Sequence, residues 1–416
     1  MKRIISLIVC ACIIVSLNSC SRKSAEAYSE TSNEHNTLDF DTTEKEYVQN
    51  TLPEQSSWVE QTTTDFNHNN ELSYAEYDSI CRKYDATGVQ VAVIKNGRMF
   101  DTYEYGVARK DGNIPVTEDT KYRIASLSKL VTDIVFMRLC EEGVLDLNAD
   151  ISNYLGFKVR NPRYPESVIT PAMLMSHTSS IVDSQKFLSS RLSGSSERVE
   201  SLLERSDSYS YSKPGTEFSY SNFSVALIGC ICEKATGKAF DALAHEYIFI
   251  PMGIDASYLA SNLEDLSLLG ELYGAGGYSV AQQTVQKAHS ELGQTHHLVQ
   301  GNLTISAKDY INIAAVLCNG GVAADGTRLL SKESVDKMLS DPVGFGFTKN
   351  ENIVENRVFC THTGSNFGMF SSYAIDPVSG LGVVVLSSGA PGTKNNSAGL
   401  YDICYEIIKI IVDSQI

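Results

Sequence analysis

The sequence predicts an α/β fold: an antiparallel sheet flanked by helices, begun early, interrupted by a mostly helical subdomain and rejoined near the C-terminus. Three observations carry this. A β-branched run, Gly88 to Ile94, meets the dipeptide Asn96-Gly97, a strong hairpin signal. Apolar residues at helical spacing dominate the middle of the chain. Strand-like runs return from Arg357 onward, one of them, Leu381 to Ser387, nearly all apolar and hence central.

Taken in order, Lys2 and Arg3 precede an apolar run from Ile4 to Leu17, too short to span a bilayer and suited to a signal-peptide core. It ends in Leu17-Asn18-Ser19-Cys20, which resembles the lipobox of a bacterial lipoprotein. That resemblance implies cleavage before Cys20 and lipid on its thiol; the alternative is an ordinary secretory signal cut slightly later. Residues 21–70 hold ten acidic against three basic side chains and few aliphatics, so they bury too little to offset their ordering entropy. The expectation is an acidic, flexible tether, with Trp58 as a short docking patch or simply solvated linker.

From residue 71 to 416 one folded unit is expected, its α/β part being 71–120 and 340–416 and its helical part 121–339. A helix over Leu72–Tyr84 precedes the hairpin, whose second strand is Met99–Val107. Leu127, Leu130, Val131, Ile134, Val135 and Leu139 give a helix that Gly143 stops. Further helices are expected over Phe223–Ala235 and Ser306–Leu317, and a last amphipathic one over Leu400–Val412. Late strands are expected over Arg357–His362, Gly368–Ile375 and Leu381–Ser387.

The net charge of −16 and the lack of any Lys/Arg-rich run exclude nucleic acid as a partner. Cys81, Cys140, Cys230, Cys232, Cys318, Cys360 and Cys404 show no C-x-x-C spacing and mostly sit in apolar runs, which reads as buried small hydrophobes.

Chemistry concentrates at Ser126-Leu127-Ser128-Lys129. On a helix, Ser126 and Lys129 lie one turn apart on one face, so amine and hydroxyl meet, as a serine nucleophile requires. The pattern occurs twice more. Ser210 to Lys213 falls in a loop broken by Pro214, and Ser334 to Lys337 falls on a charged, exposed helix face. Ser126 alone heads an apolar helix whose dipole favours developing negative charge.

Two further segments complete a constellation: Tyr220-Ser221-Asn222 before an apolar helix, and His362-Thr363-Gly364-Ser365 at the end of a strand. Together these three motifs resemble the serine β-lactamase and penicillin-binding-protein superfamily. The resemblance is to the class C β-lactamase-like branch, with its DD-carboxypeptidases, D-aminopeptidases and esterases. It runs from about Gly88 to Ser388 and takes in Lys213-Pro214-Gly215-Thr216 and His177-Thr178-Ser179.

The resemblance implies that Ser126 is acylated, that Lys129 takes or relays its proton, and that Tyr220 is a base or a shuttle to the leaving group. Asn222 would bind a substrate amide and orient Lys129. His362 and Thr363 would bind substrate, and Gly364 would leave room for it along the strand. The N–H groups of Ser126 and Ser365 would form the oxyanion hole. No metal or organic cofactor is implied. Relatives carry Gly where this chain has Ser180, so a positive φ required there would make the loop differ.

Many relatives carry lysine at the position of His362. Histidine, with a reference pKa near 6.5, is expected to be partly charged near neutrality, with KM for carboxylate substrates rising as pH climbs. The implied activity is that of a penicillin-recognising DD-peptidase or D-amino-acid amidohydrolase acting on small-molecule or peptide substrates, peptidoglycan included. The alternatives are an esterase or β-lactamase of the same family, or a sensor that is acylated without turnover. The implied location is the outer side of a bacterial cell-envelope membrane, periplasmic or at the cell surface, held by the lipid on Cys20. Residues 185–212 and 262–300 are expected to shape the pocket.

Overall fold

Strand β1 (Gly88–Lys95) shows why the sheet is buried on both faces. Val89, Val91 and Val93 pack into one apolar cluster, while Ala92 and Ile94 pack into another. In this computed structural model, which describes residues 71–193, 197–281, 287–340 and 344–415, the two clusters lie on opposite sides of one seven-stranded antiparallel sheet. The expected signal segment, Cys20, the tether and Trp58 lie outside the described residues.

The other strands are β2 (Arg98–Arg109), β3 (Ile114–Pro115), β4 (Thr348–Asn350), β5 (Phe359–Asn366), β6 (Met369–Ile375) and β7 (Gly382–Ser388), in the order β3-β2-β1-β7-β6-β5-β4. Strand β7 is central, as its apolar run predicts, and it joins the N-terminal hairpin to the C-terminal strands. Asn96 and Gly97 both adopt positive φ, 52° and 70°, the backbone of a two-residue turn that matches strand twist.

Two sequence expectations shift. The strand expected to end at His362 runs on to Asn366, because β6 pairs with it throughout, Cys360 opposite Ile375 and Asn366 opposite Met369. Gly364 therefore lies inside a strand rather than after it. The short edges β3 and β4 were not expected, since two or three residues carry no readable periodicity.

Helices α1 (Glu71–Lys83) and α6 (Asp402–Gln415) cover one sheet face, where Ile403, Ile407, Ile408 and Ile411 meet the β1 valines. The other face carries α2 (Ser128–Glu141), α3 (Asn222–Thr236) and α4 (Ala307–Ala314). Helix α5 (Lys332–Ser340) carries the rejected pair Ser334 and Lys337, but Ser334 is buried, contrary to the exposed face expected for it. Among the described residues the seven cysteines are free thiols, five of them buried.

Helix α2 also buries Asp133, one turn beyond Lys129, with no hydrogen-bond partner for either carboxyl oxygen. Burial pushes this carboxyl well above the usual carboxylate range, against the pull of the Lys129 charge. A carboxyl that ionises near pH 4 when unfolded but holds its proton in the fold gives stability that is lost as pH rises between those two values. Asp133→Asn should therefore gain on the parent protein by about 1.4 kcal/mol per pH unit above about pH 4, until the folded-state value is passed. Urea unfolding of both proteins across that range tests this, and parallel pH profiles would refute it.

Candidate active site

Ser126 does not lie within α2 but in a single 3₁₀ turn, Ala125–Leu127, just ahead of it. Ala125 is held at φ 53°, a backbone conformation that costs a non-glycine residue about 1–3 kcal/mol and is tolerated only where the surroundings over-determine it. They do so here. Ser128 Oγ donates to Ala125 O at 2.6 Å, Tyr310 Oη donates to Leu127 O at 3.1 Å, and Ser371 Oγ donates to Ile124 O at 3.1 Å. Contacts from α2, α4 and β6 thus fix the turn that carries the hydroxyl.

Lys129 Nζ lies 3.0 Å from Ser126 Oγ, 3.0 Å from Asn222 Oδ1 and 2.6 Å from the carbonyl oxygen of Gln300. The last two oxygens can only accept, so they take N–H hydrogens whatever the charge of the amine. The direction toward Ser126 is then filled by a third hydrogen in the ammonium or by the lone pair in the neutral amine. Either way the group is aimed at the serine hydroxyl. Tyr220 Oη reaches the same hydroxyl at 2.9 Å, and its ring lies 5.2 Å from Lys129 Nζ.

Asn222 and Tyr220 are placed by the start of α3. Ser221 caps the helix, its Oγ accepting from Ser224 N. Asp183 accepts from Phe223 N at 2.9 Å, Ser221 Oγ at 3.2 Å and Asn222 Nδ2 at 2.8 Å. Fixing Nδ2 on a carboxylate leaves Oδ1 for Lys129, so Asp183 decides which way the amide faces. Sequence reading missed Asp183 and Gln300. No motif marks Asp183, and Gln300 acts through its backbone.

His177 accepts from Ser221 N through Nδ1 at 3.3 Å, and its ring packs 4.6 Å from that of Tyr220. Burial, reinforced by the Lys129 charge, lowers its pKa to about 3, so the ring is neutral. Ser180 adopts φ 66°, the conformation that glycine takes more easily, held by Asn161 Nδ2 donating to its hydroxyl and Ser210 N donating to its carbonyl. Serine thus adopts a positive φ at this position.

A cavity of about 460 Å³ opens over Ser126. Its lining includes Tyr220, Asn222, His362, Thr363 and Ser365, so the three sequence motifs meet in one place. Strand β4 pairs with β5 only as far as Thr361, which leaves the β5 edge beyond it facing this space. Neither 185–212 nor 262–300 lines the cavity among the described residues. The remaining wall comes from Thr348, Asn350, Thr361 and the segment Ala398–Tyr401, whose Leu400 and Tyr401 were expected to open the last helix but precede it.

Two expectations about β5 need correction. His362 Nδ1 lies 2.8 Å from the Thr363 carbonyl, which fixes the hydrogen on that nitrogen. Loss of water around the ring, then repulsion from Lys129, holds its pKa down at about 3, so it is neutral at neutral pH and not the part-charged carboxylate grip expected. For Gly364 the expectation is incomplete, because packing alone already demands glycine. A Cβ there would fall 2.3 Å from Ser371 Oγ and 2.5 Å from Ile124 O, the carbonyl that enters the nucleophile's turn.

Sheet, helical layer and cavity define the class, and the comparisons agree. Residues 41–403 match the β-lactamase family, and the chain belongs to it. Penicillin-binding protein 4 of Amycolatopsis lactamdurans is 25% identical over 335 residues, 76% of this chain and 85% of that protein. Protein flp of Staphylococcus aureus (strain N315) is 28% identical over 156 residues, 37% of this chain but only 31% of its own length. Two solved structures share the fold. The octameric penicillin-binding protein homologue from Pyrococcus abyssi matches with a TM-score of 0.66 and 20% identity, covering 83% of this chain and 78% of that one. D-amino acid amidase from Ochrobactrum anthropi SV3 matches with a TM-score of 0.66 and 19% identity, covering 83% and 98%.

Gly364→Ala should press the nucleophile's turn out of place, costing about 1–3 kcal/mol of stability and, for a shift near 1 Å, about 100-fold in acylation rate. Thermal unfolding with single-turnover acylation measures both, and a variant acylated at the parent rate would refute the packing role. For His362, KM for carboxylate substrates should stay flat between about pH 6 and 7.5, because the ring is neutral throughout. A KM that rises across that interval would restore the imidazolium.

Proposed function

We propose that the protein is a serine hydrolase working through an acyl-enzyme on Ser126, acting as a penicillin-recognising DD-peptidase or D-amino-acid amidohydrolase on cell-wall-type peptides. One observation carries the reading. Ser126 Oγ lies within hydrogen-bond reach of both Lys129 Nζ and Tyr220 Oη at the floor of the cavity. A serine with two partners of that kind has a route for its proton when it attacks and a second route toward the leaving group.

In this mechanism the neutral Lys129 amine accepts the hydroxyl proton as Ser126 Oγ bonds to the substrate carbonyl carbon. The carbonyl oxygen becomes an oxyanion, which the N–H groups of Ser126 and Ser365 stabilise. The tetrahedral adduct collapses, the C–N bond breaks, and the departing amine takes a proton through Tyr220 from Lys129. Water then attacks the acyl ester, its proton passes back along the same groups, and the acid leaves with Ser126 restored. Asn222, held by Asp183, keeps Lys129 aligned through both halves and offers its amide to the substrate. The open β5 edge lets an extended peptide lie beside Thr363 as an added strand.

The names of a relative, penicillin-binding protein 4, and of a structural neighbour, D-amino acid amidase, support the substrate class. A lipid on Cys20 would hold the enzyme at the outer side of a cell-envelope membrane, where peptidoglycan lies.

Wild-type protein should be labelled covalently by a fluorescent penicillin, and Ser126→Ala should not. An unlabelled wild type would refute penicillin recognition, and labelling that persists in Ser126→Ala would remove Ser126 as nucleophile. Chasing the label over time assigns rapid loss to β-lactam turnover and slow loss to a peptidase or to a sensor acylated without turnover.

A further inference from the structure

Tyr220 Oη has to stay within reach of Ser126 Oγ, yet the tyrosine is 41% exposed and the core does not surround its ring. A side chain placed that openly needs a neighbour that sets its position. Three contacts of one residue, His177, converge on it.

His177 stands just beyond a short helix, Pro171–Met175. Its N–H donates to Leu174 O at 3.3 Å, and Thr178 N donates to Met173 O at 2.9 Å. Those two bonds close the helix on a single left-handed residue, a place that glycine usually takes. His177 holds it at φ 57°, a conformation that a Cβ disfavours. The backbone therefore gains nothing from a histidine here, and the reason for one lies in its side chain.

The carbonyl of His177 accepts from Ser219 N at 2.8 Å, and its Nδ1 accepts from Ser221 N at 3.3 Å. The two donors are the residues on either side of Tyr220, so the chain is gripped immediately before and after the phenol. The imidazole then packs against the phenol ring, centroids 4.6 Å apart, and Phe218 meets the imidazole edge-to-face at 5.8 Å. Because Nδ1 accepts, the hydrogen of the neutral ring sits on Nε2. His177 is itself buried and does not line the cavity, so what it does to the reaction it does through Tyr220.

We propose that His177 is the positioning residue of Tyr220, holding the phenol where it can pass a proton to the leaving group. The proposal rests on the acyl-transfer reading of Ser126 and names the residue on which its second proton route depends. The chemistry gives it a signature. When the C–N bond of an amide breaks, the departing nitrogen must gain a proton, and Tyr220 delivers it. When the C–O bond of a p-nitrophenyl ester breaks, p-nitrophenolate leaves as a stable anion and takes none. Displacing Tyr220 therefore harms amide cleavage and spares the ester, whereas general damage to the fold lowers both alike.

The test uses the full chain and two donors of one acyl group: N-acetyl-D-alanyl-D-alanine, and the p-nitrophenyl ester of N-acetyl-D-alanine. His177→Gly suits the left-handed backbone and removes both ring and acceptor. His177→Asn also tolerates that backbone and keeps an acceptor, Oδ1, at the place of Nδ1. In His177→Gly, kcat/KM should fall about 100-fold or more for the amide and no more than about threefold for the ester. His177→Asn should recover about tenfold of the amide loss. Should His177→Gly melt far below the parent, His177→Asn carries the same comparison, because it too removes the ring. Crystal structures read the placement without any substrate: Tyr220 Oη should lie beyond hydrogen-bond reach of Ser126 Oγ in His177→Gly and within it in His177→Asn. Equal losses for the two donors overturn the proposal, as does a Tyr220 that keeps its place in His177→Gly. Failure of the Ser126 reading looks different: the parent cleaves neither donor, while the position of Tyr220 in His177→Gly still decides what His177 holds.

Discussion

A fully buried amine, Lys129, is the constraint on which the site depends. Removing an ammonium from water costs several kcal/mol unless polar groups replace the lost hydration. Here the replacements come from three separate places in the chain: Ser126 from the turn before α2, Asn222 from the start of α3, and the Gln300 carbonyl from the segment before α4. Each can serve only if the helices are packed in register, so folding the helical layer and assembling the contacts of this amine are one event. The converse also holds. If any one of the three oxygens moves, the amine either loses its aim at Ser126 or loses compensation for its burial.

The sheet contributes through a single close approach. Ser371 on β6 and Gly364 on β5 face the carbonyl of Ile124, so the sheet edge and the nucleophile's turn touch where a Cβ would separate them. The same approach sets Ser126 beside the open edge of β5. Strain at Ala125 is tolerated because the turn is pinned from the helix side and the sheet side together.

Much of this was legible in the sequence, for identifiable reasons. The β-branched run of β1, the continuous apolar run of β7 and the Asn96-Gly97 turn are local signals, and they placed the sheet. Ser126 stood out from the two other pairs of its kind because an apolar helix followed it. What was not legible depends on distance and environment. The reach of β5 to Asn366 depends on β6. Asp183 lies 39 residues from the Asn222 it orients, and it looks like any loop aspartate. The neutrality of His362 depends on its surroundings, which residue type does not reveal. A reference pKa near 6.5 is a property of imidazole free in water, and this ring is half-buried with the Lys129 charge nearby.

Neutral imidazoles near the nucleophile follow from the same buried amine. His177 and His362 both lie close enough to Lys129 for its charge to oppose a second cation, and both are short of water. A protonated histidine at either position would add positive charge beside Lys129 and disfavour its ammonium form. Keeping the rings neutral preserves the capacity of Lys129 to cycle between amine and ammonium.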